Sequence, residues 1–570
     1  MSLIKANAVQ IGQSPTATQN FTLAVPSSPD GTIKLARGNS GATTQDVLSV
    51  DASGNVSFAG TTALGNISNS TAIATGSTTA RSLANRFSDV VNVKDFGAVG
   101  DWNATTGTGT NDGPAIQAAI DSIGSAGGTV FIPNGMKCLI DLNGLIIKKN
   151  VSLVGPHKFV GSPQDNSSAP YNNLGGAIIL DAATAGVSIY MEGGSSLSGL
   201  LIYRKGMVFP VQNASAFTGT AIIATDDDVA VSHSMILGFN KAYYSTGQAR
   251  ARIEYVYMDN VNGIEINQCY DIMNVSNCHA WPFATIAWGA GNSINRSGTA
   301  YKFTVNDWGK LTNCFSYGYF RGVLIDAAAS MTLLGCGFDN TPVPLFAGSV
   351  GILVQGVCPD TRIIGCQCAA QDLAGIYLAV GNPPQWTIID SYNCWGGGTH
   401  GILIDNGNAT ITGSGFRDID YAVSTTNALS KIIFDNNYCY NITSGIINSS
   451  VTNVSTLYGQ NNVELTTYIN PISNTIVCDS VTPAASICNL PQYGSVFFVN
   501  GTSGFSQLRY GWAGRQVTLV FTAVLTVTAT VSPTPTSNEM VLTGNFTTAI
   551  GNTLTLIHTG TAWYEVSRRP

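Results

Sequence analysis

The sequence is poor in charge: Asp, Glu, Lys and Arg make up 10% of its 570 residues, against about a quarter in ordinary globular domains. A helix-rich protein would rely on Lys, Glu and Arg for its exposed faces, so this scarcity argues against one. The cations that exist are scattered, and the formal net charge is −7. Without a basic block the chain lacks what phosphate binding needs, which argues against a nucleic-acid partner. No run of 18 apolar residues occurs, so nothing in it reads as a membrane-crossing helix. The opening Met1-Ser-Leu-Ile-Lys-Ala-Asn-Ala-Val-Gln has no apolar stretch of the secretory kind. What is abundant is Gly (62 residues), with Ser, Thr and Asn supplying the polar surface. That composition suits short strands joined by turns.

Residues 1–85 are Thr-, Ser- and Ala-rich, with strand-like pieces Val47–Asp51 and Asn55–Ala59 about the turn at Ala52-Ser53-Gly54. Thr71–Ala84 shows little periodicity and reads as a linker. The texture changes at Val91. Thr110-Asn-Asp-Gly-Pro opens a helix that Asn111 or Asp112 can cap, with Pro114 early in the first turn. Ile116, Ala119, Ile120 and Ile123 form its apolar stripe and Gly124 ends it. A strand, Gly128–Pro133, follows. One amphipathic helix ahead of a long β region suits a cap over the open end of a solenoid.

A repeat then organises the chain. The blocks begin at Val229, Met273, Gly309, Met331, Thr361, Trp386, Ala409 and Lys431, each with Val, Leu or Ile third, and a less certain one lies near Arg252. A second element tracks the first: Gly263-Ile-Glu-Ile, Gly322-Val-Leu-Ile, Gly351-Ile-Leu-Val, Gly375-Ile-Tyr-Leu, Gly401-Ile-Leu-Ile and Gly445-Ile-Ile-Asn. Two short strands per turn of roughly 20 to 25 residues describe a coil of a parallel β-helix, which buries its apolar face only by stacking on the next coil. The expected fold is all-β: a right-handed parallel β-helix over residues 86–455 with a short N-terminal capping helix. Cys278, Cys314, Cys336 and Cys366 share one repeat position, with Ser391 and Ser414 following, and so read as a ladder of small interior residues rather than disulfides. Cys366-Gln-Cys368 lacks the spacing of a zinc pair, and no metal or cofactor is called for. Beyond residue 455 the repeat fades. Gln516–Thr522 and Thr553–His558, between Pro and Gly turns, suggest an antiparallel β-sandwich within 456–570, starting near Asn470, where Cys478 and Cys488 lie close enough in sequence to pair.

Two stretches resemble a known family. Val93-Lys-Asp-Phe-Gly-Ala-Val-Gly-Asp, with Asn111–Ile120 and Gly128–Pro133, resembles the entry of pectate-lyase-like β-helices, common in phage tailspikes and bacterial polysaccharide lyases. Asp271–Phe283 resembles a coil seen in tailspikes. The resemblance spans roughly 91–450. It implies a homotrimer, an N-terminal region (residues 1–85) attached to the phage tail or baseplate, and a C-terminal domain that trimerises or binds glycan. It also implies action at the bacterial surface on capsule or lipopolysaccharide O-antigen. Release by host lysis would fit a virion part without a secretory signal.

Cleaving a glycosidic bond usually takes two carboxyl groups flanking it. Equivalent positions on adjacent coils of a parallel solenoid lie about 4.8 Å apart, so one repeat position can supply the pair. Two residues before the blocks stand Asp227, Asp271 and Asp307, and no acid occupies that place in later coils. Stacked like charges raise one pKa, as an acid catalyst requires; Asp is also favoured at turns for local hydrogen bonds, which explains the same column structurally. Glu265, expected to point outward, joins them as a catalytic candidate, with Glu254, Asp259, Asp326 and Asp405 behind it. Trp281, Trp308, His279, Arg250 and Tyr319 are the candidate sugar-binding groups, near Trp288, Tyr255, Tyr257 and Tyr317; aromatic faces suit sugar rings as they suit core stacking. Asp226-Asp227-Asp228 lacks the Gly and distal Glu of a calcium loop. Arg250, Arg252, Arg321 and Tyr319 leave elimination from a uronic acid open. The reading is an endo-acting depolymerase, a glycoside hydrolase ahead of a lyase. The alternatives are a binding-only receptor fibre and a free bacterial polysaccharide lyase.

Overall fold

The computed structural model describes residues 8–16, 19–24, 33–39, 42–53, 56–58, 71–156, 176–207, 217–284, 296–339, 347–381, 385–427, 430–449, 456–460, 463–464, 480–490, 495–511, 513–534 and 538–570. Trp288, Cys478 and the domain start expected at Asn470 fall outside them. The chain divides into two units, Met1–Asp89 and Val90–Pro570.

In the first unit, five strands pair in chain order as an antiparallel sheet: Ala8–Ile11, Phe21–Ala24, Ile33–Asn39, Ala42–Val50 and Val56–Phe58. The expected turn joins the last two, with Val50 opposite Val56. Ser53 N–H donates to the Asp51 carboxylate at 2.9 Å, a local bond that favours turning. The linker expected over Thr71–Ala84 is instead an antiparallel pair, Thr71–Ile73 with Ala80–Ser82, running into the helix Leu83–Phe87. Ser82 caps that helix by accepting from Asn85 N–H. Three-residue strands carry too little alternation to show as a period, so the sequence reads as featureless there.

From Val90 onward, 35 strands join by parallel pairing alone, giving the expected parallel β-helix. The coils pass through three parallel ladders, one more than the repeat suggested, and in some coils a single strand spans two of them, as Arg252–Asp259 and Gly415–Thr425 do. One coil runs Lys310–Thr312, Phe315–Tyr317 and Tyr319–Asp326. These three ladders are called sheets I, II and III. The strand missed by sequence is that of sheet II, often three residues long. It is set off from sheet I by one residue in the left-handed region: Asn277, Asn313, Gly335, Gly365, Ser391, Gly413 and Asn436 in successive coils. Asn and Gly tolerate this conformation, and the first five of these corners bond to the next coil, as Asn313 N–H does to Leu334 O at 2.9 Å.

The pairing corrects three alignments by one residue. Ile363 pairs with Ile389, Ile411 with Phe434, and Val231 with Ile253. The coils read from Trp386, Lys431 and Arg252 therefore begin one residue later, later and earlier respectively. Since alternate side chains face opposite ways, the slip had placed half-exposed Ile388 inside and buried Ile389 outside.

All eleven described cysteines are free and buried. Cys278, Cys314, Cys336 and Cys366 stack inside as expected, Cys278 N–H approaching Cys314 Sγ at 3.4 Å. The ladder then continues through Tyr392 and Ser414: Tyr392 N–H donates to Ser414 Oγ. Ser391, assigned to it from sequence, is the corner residue instead. The helix Gly113–Ile123 buries Ile116, Ala119 and Ile120 against the first coils. Asp112 stands at its N-cap position, but its carboxylate accepts from Val99 and Gly100 N–H, while Asn111 takes Gly113 N–H.

The C-terminal part has two sheets, of six and four strands, sharing one core through Phe497, Leu519, Leu556 and Trp563 on one side and Cys488, Phe505, Leu508 and Val527 on the other. It is a sandwich of mixed direction, not a purely antiparallel one. Val496–Val499 pairs with Gln516–Phe521 in parallel, as Ser486–Asn489 does with Phe505–Arg509, because successive strands alternate between the sheets. Antiparallel pairing enters with Phe546–Thr547 against Thr526–Val527 in the smaller sheet and with Thr553–His558 in the larger.

Candidate functional site

Sheet II carries a concave surface among the described residues. Its strands are short, so each coil places only two or three side chains outward, and the register stacks these into columns. One column runs His279, Phe315, Gly337, Gln367, Asn393, Gly415 and Tyr438. The other runs Tyr317, Asp339, Ala369 and Trp395, and Arg417 continues along the same edge beside Tyr440. Between them Phe338, Cys368, Cys394, Phe416 and Cys439 point into the core.

A groove of about 340 Å³ opens over the later coils, walled by Gln367, Asn393, Trp395, Arg417 and Tyr438 with Gly415 on its floor. A side chain at Gly415 would begin 2.8 Å from Asn393 Oδ1 and 3.1 Å from the Tyr438 ring, so the absent Cβ is what opens the depression. The Arg417 guanidinium lies over the Trp395 ring at 5.4 Å, a cation–π contact that also fixes the indole plane. An aromatic face, two amides, a phenol and a guanidinium around a glycine floor combine a stacking surface with hydrogen-bond donors and acceptors. Farther down the same face, Asp339 is half-buried and accepts from Gln371 Nε2 at 3.2 Å. Burial pushes its carboxyl above the usual range, the Gln371 bond opposing this.

The candidates read from sequence separate into distinct places. Asp227 and Asp271 come together at the corner between sheets III and I, but with a coil between them that carries Ala249 and Arg250. Arg250 reaches Asp271 at 2.7 Å, Asp228 at 2.6 Å and Asp227 at 3.3 Å. Its hydrogen bonds hold the Asp228 and Asp271 carboxyls below their ordinary values, opposite to the shift that stacked like charges give. Asp307 lies farther along this edge, bridged to Ala329 and donating its N–H to Cys269 O. Trp308 beside it is 61% exposed, in a left-handed corner with φ 56°.

Glu265 does point outward, on sheet III, between Lys241 at 2.7 Å and Lys302 at 3.0 Å. Burial raises its carboxyl, and the two ammonium groups outweigh that and pull it down. His279 and Trp281 meet on sheet II in an aromatic cluster with Tyr257, Phe283 and Phe315. His279 Nε2 is buried without a hydrogen-bond partner among the described residues, and burial lowers its pKa. Tyr319 is 2% exposed and donates its hydroxyl to Asn260 O at 3.0 Å, so it lies out of reach of an external sugar. Asp259 is likewise buried, paired with Arg296. Tyr255 stacks on His233. Asp326 accepts from Gln355, and Asp405 takes both the Tyr377 and Thr426 hydroxyls.

Sequence reasoning missed the groove itself. Its walls sit on the sheet II strands, and the one available signal was the outward Gln, Asn, Trp and Arg beside the Cys residues of successive coils.

No protein-family model matches the chain, and no curated protein sequence matches it. Solved structures similar to it include a tailspike protein of Escherichia coli bacteriophage HK620 in complex with a pentasaccharide, at 13% identity over 82% of this chain and 87% of that one, TM-score 0.43. The A-module of a mannuronan C-5 epimerase from Azotobacter vinelandii is similar at 14% identity over 66% of this chain and all of that one, TM-score 0.41. An exopolygalacturonase from Thermotoga maritima is similar at 10% identity over 66% and 91%, TM-score 0.40. Phage tailspikes and pectate-lyase-like enzymes are thus both among the parallel β-helices this chain resembles.

Proposed function

We propose that the chain is a phage tailspike that binds a bacterial surface polysaccharide, capsule or O-antigen, and shortens it by endo-cleavage during adsorption. The observation that carries this reading is the sheet II groove. Trp395 and Tyr438 offer flat faces, Gln367 and Asn393 offer paired donors and acceptors, and the open floor at Gly415 gives a sugar ring room. The column continues from the groove back to His279 and Trp281, so an extended polymer has one face to follow. Asp339 on that face keeps its proton to higher pH than an ordinary Asp, which suits hydrolysis by proton donation to the leaving oxygen. Homotrimer assembly and attachment to the tail through residues 1–89 belong to the same proposal.

The test is incubation of the purified protein with the surface polysaccharides of its host, with mass spectrometry of the products. Shortened chains with intact sugars are expected. Products with the ultraviolet absorbance of an unsaturated uronate would mean elimination instead. A second reading, a fibre that binds without cleaving, is favoured by the ion-pairing of Asp227, Asp271 and Glu265; unchanged polymer length with retained binding would establish it.

A further inference from the structure

We infer that the groove reads an anionic sugar, a carboxylate-bearing residue of the polymer, and that Arg417 is the side chain that recognises its charge. The inference rests on the glycan reading above and names its substrate class.

Three observations carry it. First, four arginines are ion-paired to acids: Arg250 to three aspartates, Arg296 to Asp259, Arg81 to Asp89 and Arg568 to Glu565. Arg417 has no ion pair among the described residues, in a chain with more Asp and Glu (33) than Lys and Arg (26). Second, none of the residues lining the groove is an acid. Asp418, next in sequence, occupies a left-handed corner with φ 54°, and its carboxylate takes the Asn441 amide at 2.8 Å. Third, Arg417 is held over Trp395. Stacking restrains the guanidinium plane while leaving its edge donors open, and a planar fork of N–H groups matches a carboxylate bidentately. A sugar stacked on a neutral aromatic wall would be served by Gln367, Asn393 and Tyr438 alone. The added cation, set in the same groove with no carboxylate partner among the described residues, is complementary to charge on the ligand. Phosphate shares that complementarity, so the test separates the two.

The experiment measures equilibrium binding of the full chain to uronate-containing capsular polysaccharides, to the same polymers after chemical reduction of their carboxyl groups, and to a phosphate-bearing surface polymer. The wild type is expected to bind a native uronate polymer at least tenfold more tightly than its reduced form. Arg417→Gln should lose about that factor on the native polymer and nothing further on the reduced one. Trp395→Ala should weaken both. Equal binding of native and reduced polymer, or an Arg417→Gln variant that binds as the wild type does, would overturn the inference and leave the glycan reading standing. Arg417-dependent binding of the phosphate polymer alone would overturn the carboxylate. Failure of the folded wild type to bind any of these polymers would overturn the glycan reading and the inference with it.

Discussion

The same carboxyl group is set two ways on this surface, and the neighbours decide which. Asp271 lies against the Arg250 guanidinium, which holds its pKa below the ordinary carboxylate range. A group depressed in the folded state stabilises above its unfolded pKa of about 4 and loses that contribution as pH falls through the lower folded value. Arg250→Met should therefore move the Asp271 titration upward and flatten the fall of melting temperature below about pH 4, as carboxyl NMR and thermal scans would show. Asp339 is set the other way, raised chiefly by burial. An acid raised in the folded state costs stability as pH climbs past its unfolded value, so Asp339→Asn should melt higher than the wild type at pH 7 and no higher at pH 3. If Asp339 is also the proton donor, the same variant stops shortening polysaccharide while still binding it. For the interior thiols, the bond to Cys314 pushes Cys336 up to about 12, with burial adding to it, and burial pushes Cys394 up to about 12. The native protein should leave its eleven described cysteines unmodified by a thiol reagent at pH 8 and yield them all after denaturation.

At the scale of elements, Asp259 does more than pair with Arg296. Its second oxygen takes Ala284 N–H at 2.8 Å, so one carboxylate at the end of the strand Arg252–Asp259 ties residues on both sides of 285–295. Both partners are 1% exposed. Removing one charge of a buried pair leaves the other uncompensated, at a cost of about 3–5 kcal/mol. Asp259→Asn should lower the denaturation midpoint accordingly, and Arg296→Met in the same chain should recover part of the loss. The strands of sheets I and III were legible in the sequence because branched apolar residues recur there at fixed offsets. Register was not, where two apolar residues stand together: Ile388 and Ile389, or Ile432 and Ile433, satisfy the same pattern from either face, and only pairing with the neighbouring coil chooses. The groove was harder still. Gln367, Asn393 and Gly415 are neighbours in space through a ladder whose steps exceed twenty residues, and no local period marks an outward column of polar side chains. The acids at 227, 271 and 307 did form a readable column, but Arg250 intervenes between the first two, pairs with both and holds Asp271 below its ordinary value.

At the scale of the molecule, the two units have largely separate internal contacts. Deleting residues 1–89 should leave the melting transition of the β-helix and its polysaccharide binding in place while abolishing incorporation into virions, measured by calorimetry and by particle assembly. Within Val90–Pro570, stability is shared coil by coil, each contributing its interface with the next. That arrangement makes the sulfur inside it chemically silent. A β-helix whose ten thiols are all sealed in its core takes no covalent step to mature and offers no bond for a reductant to open. It has the same structure in a reducing cytosol and in an aerated medium. A protein assembled in one and released into the other would cross between them without changing its oxidation state.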